Sequence, residues 1–210
     1  MGGGDEVDFD AAACPFVKTI DRQGFSSYTL LMVCPWWLCY SFDNPLRRIF
    51  HDPDRLLGPY VKTGMTAVDI GCGMGYFTIG LARLTGPEGK VIAVDLQQQM
   101  LDALGRRSRR TGVANQIVLH RCRKESLGVE DPADFALAFW MAHEIPDKSR
   151  FFREILALLK TRGRLLLVEP KVHVTLRSFE RMVAVCRETG FQVLEEPLVA
   201  LSRAFLLGKE

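Results

Sequence analysis

The stretch Val68-Asp69-Ile70-Gly71-Cys72-Gly73-Met74-Gly75-Tyr76-Phe77 decides the fold of this chain of 210 residues. Residues 65–70 form a short apolar run that predicts a buried strand, and residues 76–84 carry apolar side chains at helical spacing. Three glycines within five residues separate the two. Glycine adopts backbone angles that a side chain forbids, and it lets a ligand approach the main chain closely. The stretch therefore predicts a strand, a ligand-binding turn and a helix start, placed at the carboxyl edge of an open α/β sheet.

A second predicted strand indicates a ligand that contains a nucleoside. Residues 90–95 are largely apolar, and they end in Asp95, twenty residues after Gly75. A carboxylate at this position can accept hydrogen bonds from both hydroxyls of a ribose. The dinucleotide fingerprint G-x-G-x-x-G/A requires a third small residue, whereas this chain has Tyr76 there. The pattern therefore favours a nucleoside cofactor other than a nicotinamide dinucleotide.

A G-x-G-x-G turn that follows an acidic residue resembles motif I of the class I S-adenosylmethionine-dependent methyltransferases. The resemblance covers about residues 60–208 and implies an α/β fold: a Rossmann-like, doubly wound, seven-stranded sheet, mostly parallel, with an antiparallel last strand. It also implies S-adenosylmethionine as the cofactor, residues 61–210 as the domain that binds it, and methyl transfer to a small-molecule acceptor. The segment before motif I often closes over the cofactor in this family, which makes His51 and Tyr60 candidates for that contact. The cofactor-binding residues that the resemblance implies are Asp69, Gly71, Cys72, Gly73, Gly75, Tyr76, Asp95, Leu96, Cys122, Arg123 and Phe139.

The expected adenine contact departs from the family pattern. The family usually has an acidic residue just beyond the third strand, which is predicted here over residues 117–120. This chain has Arg121-Cys122-Arg123-Lys124 instead. We therefore expect main-chain atoms around Cys122 and Arg123 to contact the adenine, with Leu96 over the face of the ring.

Two histidines are the candidate catalytic residues. The resemblance places a strand over residues 134–140, followed by a loop with His143 beside the transferable methyl group. The unperturbed pKa of a histidine is near 6.5, so His143 is a candidate general base, although a loop histidine more often has a structural hydrogen-bonding role. Residues 160–163 predict a helix end and a glycine turn before a strand at 164–170. His173 follows that strand at the same edge of the predicted sheet.

Residues 1–60 are predicted to form an N-terminal arm or lid that begins in a disordered tail. Residues 28–42 are strongly apolar, but fifteen residues interrupted by Pro35 are too few to span a bilayer. Three interpretations stay open: an arm packed on the sheet domain, a lid with an aromatic wall for the acceptor, or a thiol site that includes Cys14. The last would be typical of a thiol or metalloid methyltransferase, whereas no protein-bound metal site is predicted. The aromatic residues favour an apolar or aromatic acceptor, and the predicted acceptor-binding residues are Cys34, Trp36, Trp37, Cys39 and Tyr40.

Composition and charge limit the classes of function. With 48% hydrophobic and 25% charged residues, the chain has enough apolar material for a sizeable core. The net charge of +2 indicates no polyanionic partner, so no nucleic acid is expected. Six cysteines without a close-spaced framework, and no leader peptide or transmembrane segment, predict a cytoplasmic protein with free thiols. The oligomeric state is not predicted.

Two other functions stay open. An NAD(P)-dependent oxidoreductase shares the glycine turn and the acid-tipped strand, but Tyr76 and the two predicted closing strands, 191–196 and 201–207, speak against it. A non-catalytic binding or adaptor domain would keep the same fold without chemistry.

Overall fold

The computed structural model describes residues 16–20, 26–30 and 47–209. The chain divides into two compact units, Met1–Pro35 and Trp36–Glu210. In the first unit, strands β1 (Phe16–Ile20) and β2 (Ser26–Leu30) form a two-stranded antiparallel sheet. The five predicted acceptor-binding residues, the predicted thiol site with Cys14, and the predicted tail all lie outside the described residues.

The second unit is a seven-stranded sheet with helices on both faces. Its strands are β3 (Thr66–Ile70), β4 (Lys90–Asp95), β5 (Ile117–Arg121), β6 (Ala133–Phe139), β7 (Leu159–Pro170), β8 (Gln192–Glu195) and β9 (Ser202–Gly208). Its described helices are α1 (Arg47–Phe50), α2 (Pro53–Leu57), α3 (Tyr76–Thr85), α4 (Gln98–Arg110), α5 (Lys148–Leu158) and α6 (Leu176–Glu188).

The strand order is β5-β4-β3-β6-β7-β9-β8. Strand β9 runs antiparallel to its neighbours β7 and β8, and the other pairs are parallel. The predicted fold class is confirmed. Because β3 pairs with β4 on one side and with β6 on the other, the strand order reverses there. The carboxyl ends of these strands form the crevice in which open α/β sheets bind ligands.

Alternation along the central strands builds a separate core on each face of the sheet. Val68 and Ile70 of β3 face the core formed with α5 and α6, whereas Ala67 faces the core formed with α2, α3 and α4. Successive strand residues point to opposite faces, so both sides of a covered strand must be apolar. Leu57 and Tyr60 belong to the second core. The end of the predicted N-terminal arm is therefore packed into the sheet unit.

The connection into β7 differs from the predicted turn. Helix α5 ends at Leu158 and β7 begins at once with Leu159, instead of after a turn at 160–163. The strand is irregular there: Arg162 has a φ of 63°, and the register with β6 shifts. The sequence pattern predicted a turn and did not show that strand pairing continues on both sides of these residues.

The contact between α2 and α3 yields a test of the fold. A Cβ added at Gly80 would lie 2.4 Å from Cβ of Pro53. Replacing a mid-helix glycine by alanine should otherwise stabilise a helix by roughly 1 kcal/mol. We expect Gly80→Ala to lower the free energy of unfolding instead, because overpacking costs about 1–3 kcal/mol. Denaturant unfolding of Gly80→Ala beside Arg83→Ala, an exposed position on the same helix, measures this. A more stable Gly80→Ala protein would contradict the packing described.

Candidate functional site

The three glycines of the turn have different tasks. A Cβ at Gly71 would lie 2.8 Å from Cγ of Met141, and one at Gly75 would lie 2.1 Å from Cδ1 of Leu104, so both positions allow neighbouring segments to approach. Gly75 has a φ of 83° and precedes the first residue of α3. At Gly73, with a φ of 52°, an added Cβ would meet no atom within 4 Å. Gly73 is therefore the glycine of this turn at which an added side chain would extend into open space.

The carboxylate of Asp95 ties the end of β4 to this turn. Its Oδ2 accepts a hydrogen bond from the N–H of Gly73, and its Oδ1 accepts one from the N–H of Gln97, both at 2.9 Å. Burial raises the pKa of Asp95, while these main-chain hydrogen bonds act in the opposite direction. Each carboxylate oxygen has a second lone pair, so Asp95 keeps the capacity to accept from ribose hydroxyls. The structure thus brings Gly73 and Asp95 together, and their predicted contacts with the cofactor stay predictions.

Asp69 is turned into the protein. Its Oδ2 accepts a hydrogen bond from the hydroxyl of Thr78 in α3 at 2.5 Å, and the residue is 3% exposed. Burial, opposed by the hydrogen bond from Thr78, raises the pKa of Asp69 to about 6, and the charge of Asp95 adds to the rise. In this structure Asp69 joins β3 to α3, and its predicted contact with the cofactor stays a prediction.

The residues predicted to surround the adenine lie together after β4 and β5. The N–H of Cys122 donates to the carbonyl of Asp95, and the N–H of Arg123 donates to that of Ser126, both at 3.0 Å. These two donors are therefore already used, and a contact with adenine stays a prediction. Burial raises the pKa of Cys122 to about 11 and that of Cys72, which is buried inside the glycine turn, well above its usual value. Both thiols are neutral at physiological pH.

His143 is bound to a buried carboxylate that sequence analysis missed. His143 lies in the 3-10 turn Ala142–Glu144 after β6. Glu169, near the end of β7, is 0% exposed; its Oε1 accepts from the N–H of His143 at 3.1 Å, and its Oε2 lies 2.5 Å from Nδ1. Burial lowers the pKa of His143, but the hydrogen bond and charge of Glu169 outweigh it and raise the pKa above 6.5. A lone carboxylate at the end of an apolar strand is the signal that could have identified Glu169.

The second predicted histidine lies beside the first. The rings of His143 and His173 are stacked, with centroids 6.3 Å apart and planes inclined by 17°. His173 is exposed, whereas 28% of the His143 side chain is exposed. The two histidines thus share one edge of the sheet, as predicted from their positions after two neighbouring strands.

Aromatic side chains gather at the end of β6 and the start of α3. The rings of Phe139 and Phe77 have centroids 4.3 Å apart, and Trp140 packs on Phe139 at 5.3 Å. The ring of His51 meets both Phe139 and Trp140 edge-on, at 5.2 and 5.1 Å. The Tyr76 hydroxyl donates to the main-chain carbonyl of His51 at 3.1 Å. His51 therefore packs against the aromatic rings at the end of β6.

Two further side chains before the turn make contacts that the sequence did not predict. Arg47, which sequence analysis did not single out, has its guanidinium carbon 4.5 Å from the ring centroid of Tyr76. The hydroxyl of Tyr60 donates to Glu195 of β8 at 3.1 Å, and its ring stacks on Phe135 of β6. Tyr60 is therefore packed into the core next to the sheet instead of against the glycine turn.

Two other kinds of site are absent from the described part of the chain. Within residues 47–209 and the two described strands before them, no group of histidine, cysteine and acidic residues could hold a metal ion. In the same part of the chain, no helix has both the length and the apolar character needed to cross a membrane.

The buried carboxyl of Asp69 gives a pH-dependent prediction. Its raised pKa means that it keeps its proton between about pH 4 and pH 6, where an aspartate of the unfolded chain has lost it. Its contribution to the free energy of unfolding therefore falls as the pH rises through this range and stays low above it. Asp69→Asn carries no charge at this position. From pH 4.5 to pH 7.5, the difference in free energy of unfolding between Asp69→Asn and wild type should therefore change in favour of the variant, by on the order of 2–3 kcal/mol.

Denaturant unfolding at both pH values measures this difference. Asp131→Asn is the control, because that side chain is 59% exposed and pairs only with Lys90 on the surface. An Asp69→Asn protein whose stability relative to wild type is the same at both pH values would contradict the burial of a charged carboxyl.

Comparison with known proteins agrees with this geometry. A family model described as a methyltransferase domain matches residues 61–198. The demethylmenaquinone methyltransferase of Lactobacillus johnsonii is 33% identical over 110 residues, which cover 52% of this chain and 45% of that protein. The ubiquinone/menaquinone biosynthesis C-methyltransferase UbiE of Pasteurella multocida is 31% identical over 110 residues, 52% of this chain and 41% of that protein. The chain thus spans less than half the length of these curated relatives.

A solved structure shows the same fold over most of the chain. The SAM-dependent methyltransferase from Aquifex aeolicus has a TM-score of 0.75 at 20% identity, covering 84% of this chain and 98% of that chain. The family model matches well over half of the chain and is that of a methyltransferase, not of an oxidoreductase. The chain belongs to the methyltransferase domain family, and its cofactor is S-adenosylmethionine.

Proposed function

We propose that this protein transfers the methyl group of S-adenosylmethionine to a small apolar or aromatic acceptor. The observation that carries the proposal is one of placement. The open position at Gly73 and the carboxylate of Asp95 lie at the carboxyl ends of β3 and β4, and His143 follows β6, the other neighbour of β3. Neighbouring strands are less than 5 Å apart. A cofactor held at the turn and an acceptor next to His143 would therefore be close to each other.

The described residues fit the cofactor. Gly73 offers its main chain without a side chain in the way, and Asp95 offers a carboxylate beside it. When bound, S-adenosylmethionine supplies a methyl group that its sulfonium already activates. The task left to the protein is to hold an acceptor in line, with the reacting atoms about 3–3.5 Å apart. The histidines His143 and His173 give that edge of the sheet its polar groups.

The aromatic side chains support the class of acceptor. Phe77, Phe139, Trp140 and His51 pack edge-on or tilted against one another beside the glycine turn. Such rings favour contact with apolar and aromatic ligands, with a few polar groups to orient them. The names of the two relatives refer to demethylmenaquinone and to the biosynthesis of ubiquinone and menaquinone, and we propose an acceptor of related character here. The predicted contacts from Cys34 to Tyr40, the cytoplasmic location and the absence of a nucleic-acid partner stay predictions.

A matched pair of glycine variants tests the proposal. Gly73→Ala should weaken binding of S-adenosylhomocysteine at least tenfold, about 1.4 kcal/mol, because its methyl group would occupy the space left for the cofactor. Gly112→Ala is the control: Gly112 also has a positive φ, of 74°, and an added Cβ there also meets no atom within 4 Å. It follows α4, away from the turn. Both variants bear a similar backbone strain, roughly 1–2 kcal/mol.

Calorimetric titration and transfer of a labelled methyl group are the two measurements. Wild type and Gly112→Ala should methylate at least one member of a panel of phenols, quinols, thiols and anilines. Gly73→Ala should methylate that same compound at least tenfold more slowly when the cofactor concentration is below its Kd. Equal binding by all three proteins would contradict the role of Gly73. Label found only in added RNA would contradict a small-molecule acceptor.

A further inference from the structure

We propose that Glu169 is a positioning residue that holds His143 as a general base, and that the acceptor must lose a proton when it is methylated. An acceptor of this class carries a hydroxyl, a thiol or an acidic C–H group at the reacting atom. The inference rests on the proposed methyl transfer and adds to it the chemical class of the acceptor.

The first observation that supports the proposal is the burial of Glu169. The residue is 0% exposed and follows four leucine and valine residues of β7 that are also 0% exposed. A buried carboxylate is costly unless it is paired and hydrogen-bonded. Both oxygens of Glu169 contact one residue, His143, through its main-chain N–H and its Nδ1. A carboxylate placed in this way stabilises positive charge on the imidazole, as a histidine that takes up a proton requires.

Glu169 also decides which nitrogen of His143 is available. An ionised carboxylate only accepts hydrogen bonds, so Nδ1 carries the hydrogen and the lone pair of the neutral ring is on Nε2. The second bond, from the main-chain N–H to Oε1, fixes the carboxylate relative to the turn. Within residues 47–209 no hydrogen-bond partner of Nε2 is present, and 28% of the His143 side chain is exposed. In the neutral ring, Nε2 is therefore the nitrogen left to accept a proton, on a side chain that is partly exposed.

Two nearby cations are bound elsewhere and do not pair with Glu169. Lys148 of α5 donates its Nζ to the carbonyl of Ile145 at 2.8 Å. Arg203, opposite Glu169 in β9, donates Nη1 to the carbonyl of Val174 at 2.8 Å. The charge of Glu169 also acts on Lys148, but among the described residues both hydrogen bonds of the carboxylate are made with His143.

The surrounding charges set the direction of the pH dependence. Burial lowers the pKa of His143. The hydrogen bond and charge of Glu169 and the charge of Glu144 raise it, the charge of Lys148 lowers it, and the net pKa is raised. His173 contributes a stacked ring from the exposed side. A protonated His143 cannot accept a proton. Transfer to the proposed acceptors should therefore increase as the pH rises through the pKa of His143.

The step balances in atoms and electrons. The X–H bond of the acceptor breaks and its proton passes to Nε2 of His143. The electron pair of X forms the X–CH3 bond, while the pair of the broken S–CH3 bond stays on sulfur, giving S-adenosylhomocysteine. His143 then holds the proton beside Glu169 and releases it to water. A neutral amine needs no such base, because its lone pair is free to attack.

Three variants separate positioning from other effects. Glu169→Gln keeps the shape but places an amide against Nδ1, which favours the tautomer with hydrogen on Nε2. His143→Asn can still donate to Glu169 but lacks Nε2. Glu144→Gln removes the same charge from the same turn without a hydrogen bond to the imidazole, so it is the matched control. Thermal melting shows which variants fold.

The readouts are nitrogen NMR of labelled histidine, titration of S-adenosylhomocysteine, and kcat against pH on phenol, thiol and aniline probes. Wild type should show hydrogen on Nδ1 and methylate a phenol or thiol. Glu169→Gln should lower the measured pKa of His143 by at least one pH unit, and Glu144→Gln by less. Glu169→Gln and His143→Asn should lower kcat at least 100-fold, the scale of general-base catalysis, while binding of S-adenosylhomocysteine stays within threefold.

Each of these results either supports or overturns the inference. Hydrogen on Nε2 in wild type, or full kcat in His143→Asn, would overturn the inference even if Glu169→Gln did not fold. Methylation of anilines only would overturn the acceptor class. Failure of wild type to bind S-adenosylhomocysteine would instead overturn the proposed function, while the tautomer measured by NMR would still decide the role of Glu169.

Discussion

The hydrogen bonds that Asp95 accepts from Gly73 and Gln97 are the constraint on which the site depends. They join the end of β4 to a turn that leaves β3, so two neighbouring strands present one surface to a ligand. The N–H groups of Gly71 and Cys72 strengthen the same junction by donating to the carbonyl of Val94. Because these hydrogen bonds fix the turn to the end of β4, the main chain at Gly73 keeps its position without a side chain of its own.

The sequence predicted the parts of the site that depend on local pattern. The strand, turn and helix around Gly71–Gly75, and the acid at the end of β4, follow from apolar periodicity and glycine spacing, because these signals are contained in short stretches. The two histidines could be placed at one edge, because each follows a strand of a parallel sheet. The family model and the strand order confirm the seven-stranded fold that the resemblance to the methyltransferases implied.

What the sequence did not show depends on contacts between distant stretches. Glu169 and His143 are 26 positions apart and meet because β6 and β7 are paired. Likewise, Gly71 and Gly75 are required by Met141 and Leu104, which no local pattern connects to the turn. No local pattern showed that Asp69 accepts a hydrogen bond from the hydroxyl of Thr78, and its predicted contact with the cofactor stays a prediction. In each case the partner, and not the residue type, determines the role.

The measurement that tests the central claim most directly is calorimetric titration of S-adenosylhomocysteine, and separately of NADH, into wild type, Asp95→Ala and Asp102→Ala. Asp102 is an exposed aspartate of α4, the helix that begins just beyond Asp95. We predict micromolar binding of S-adenosylhomocysteine only, weakened at least tenfold by Asp95→Ala and unchanged by Asp102→Ala in proteins that melt cooperatively. Binding of NADH, or equal affinity in all three proteins, would contradict a nucleoside site built on Asp95.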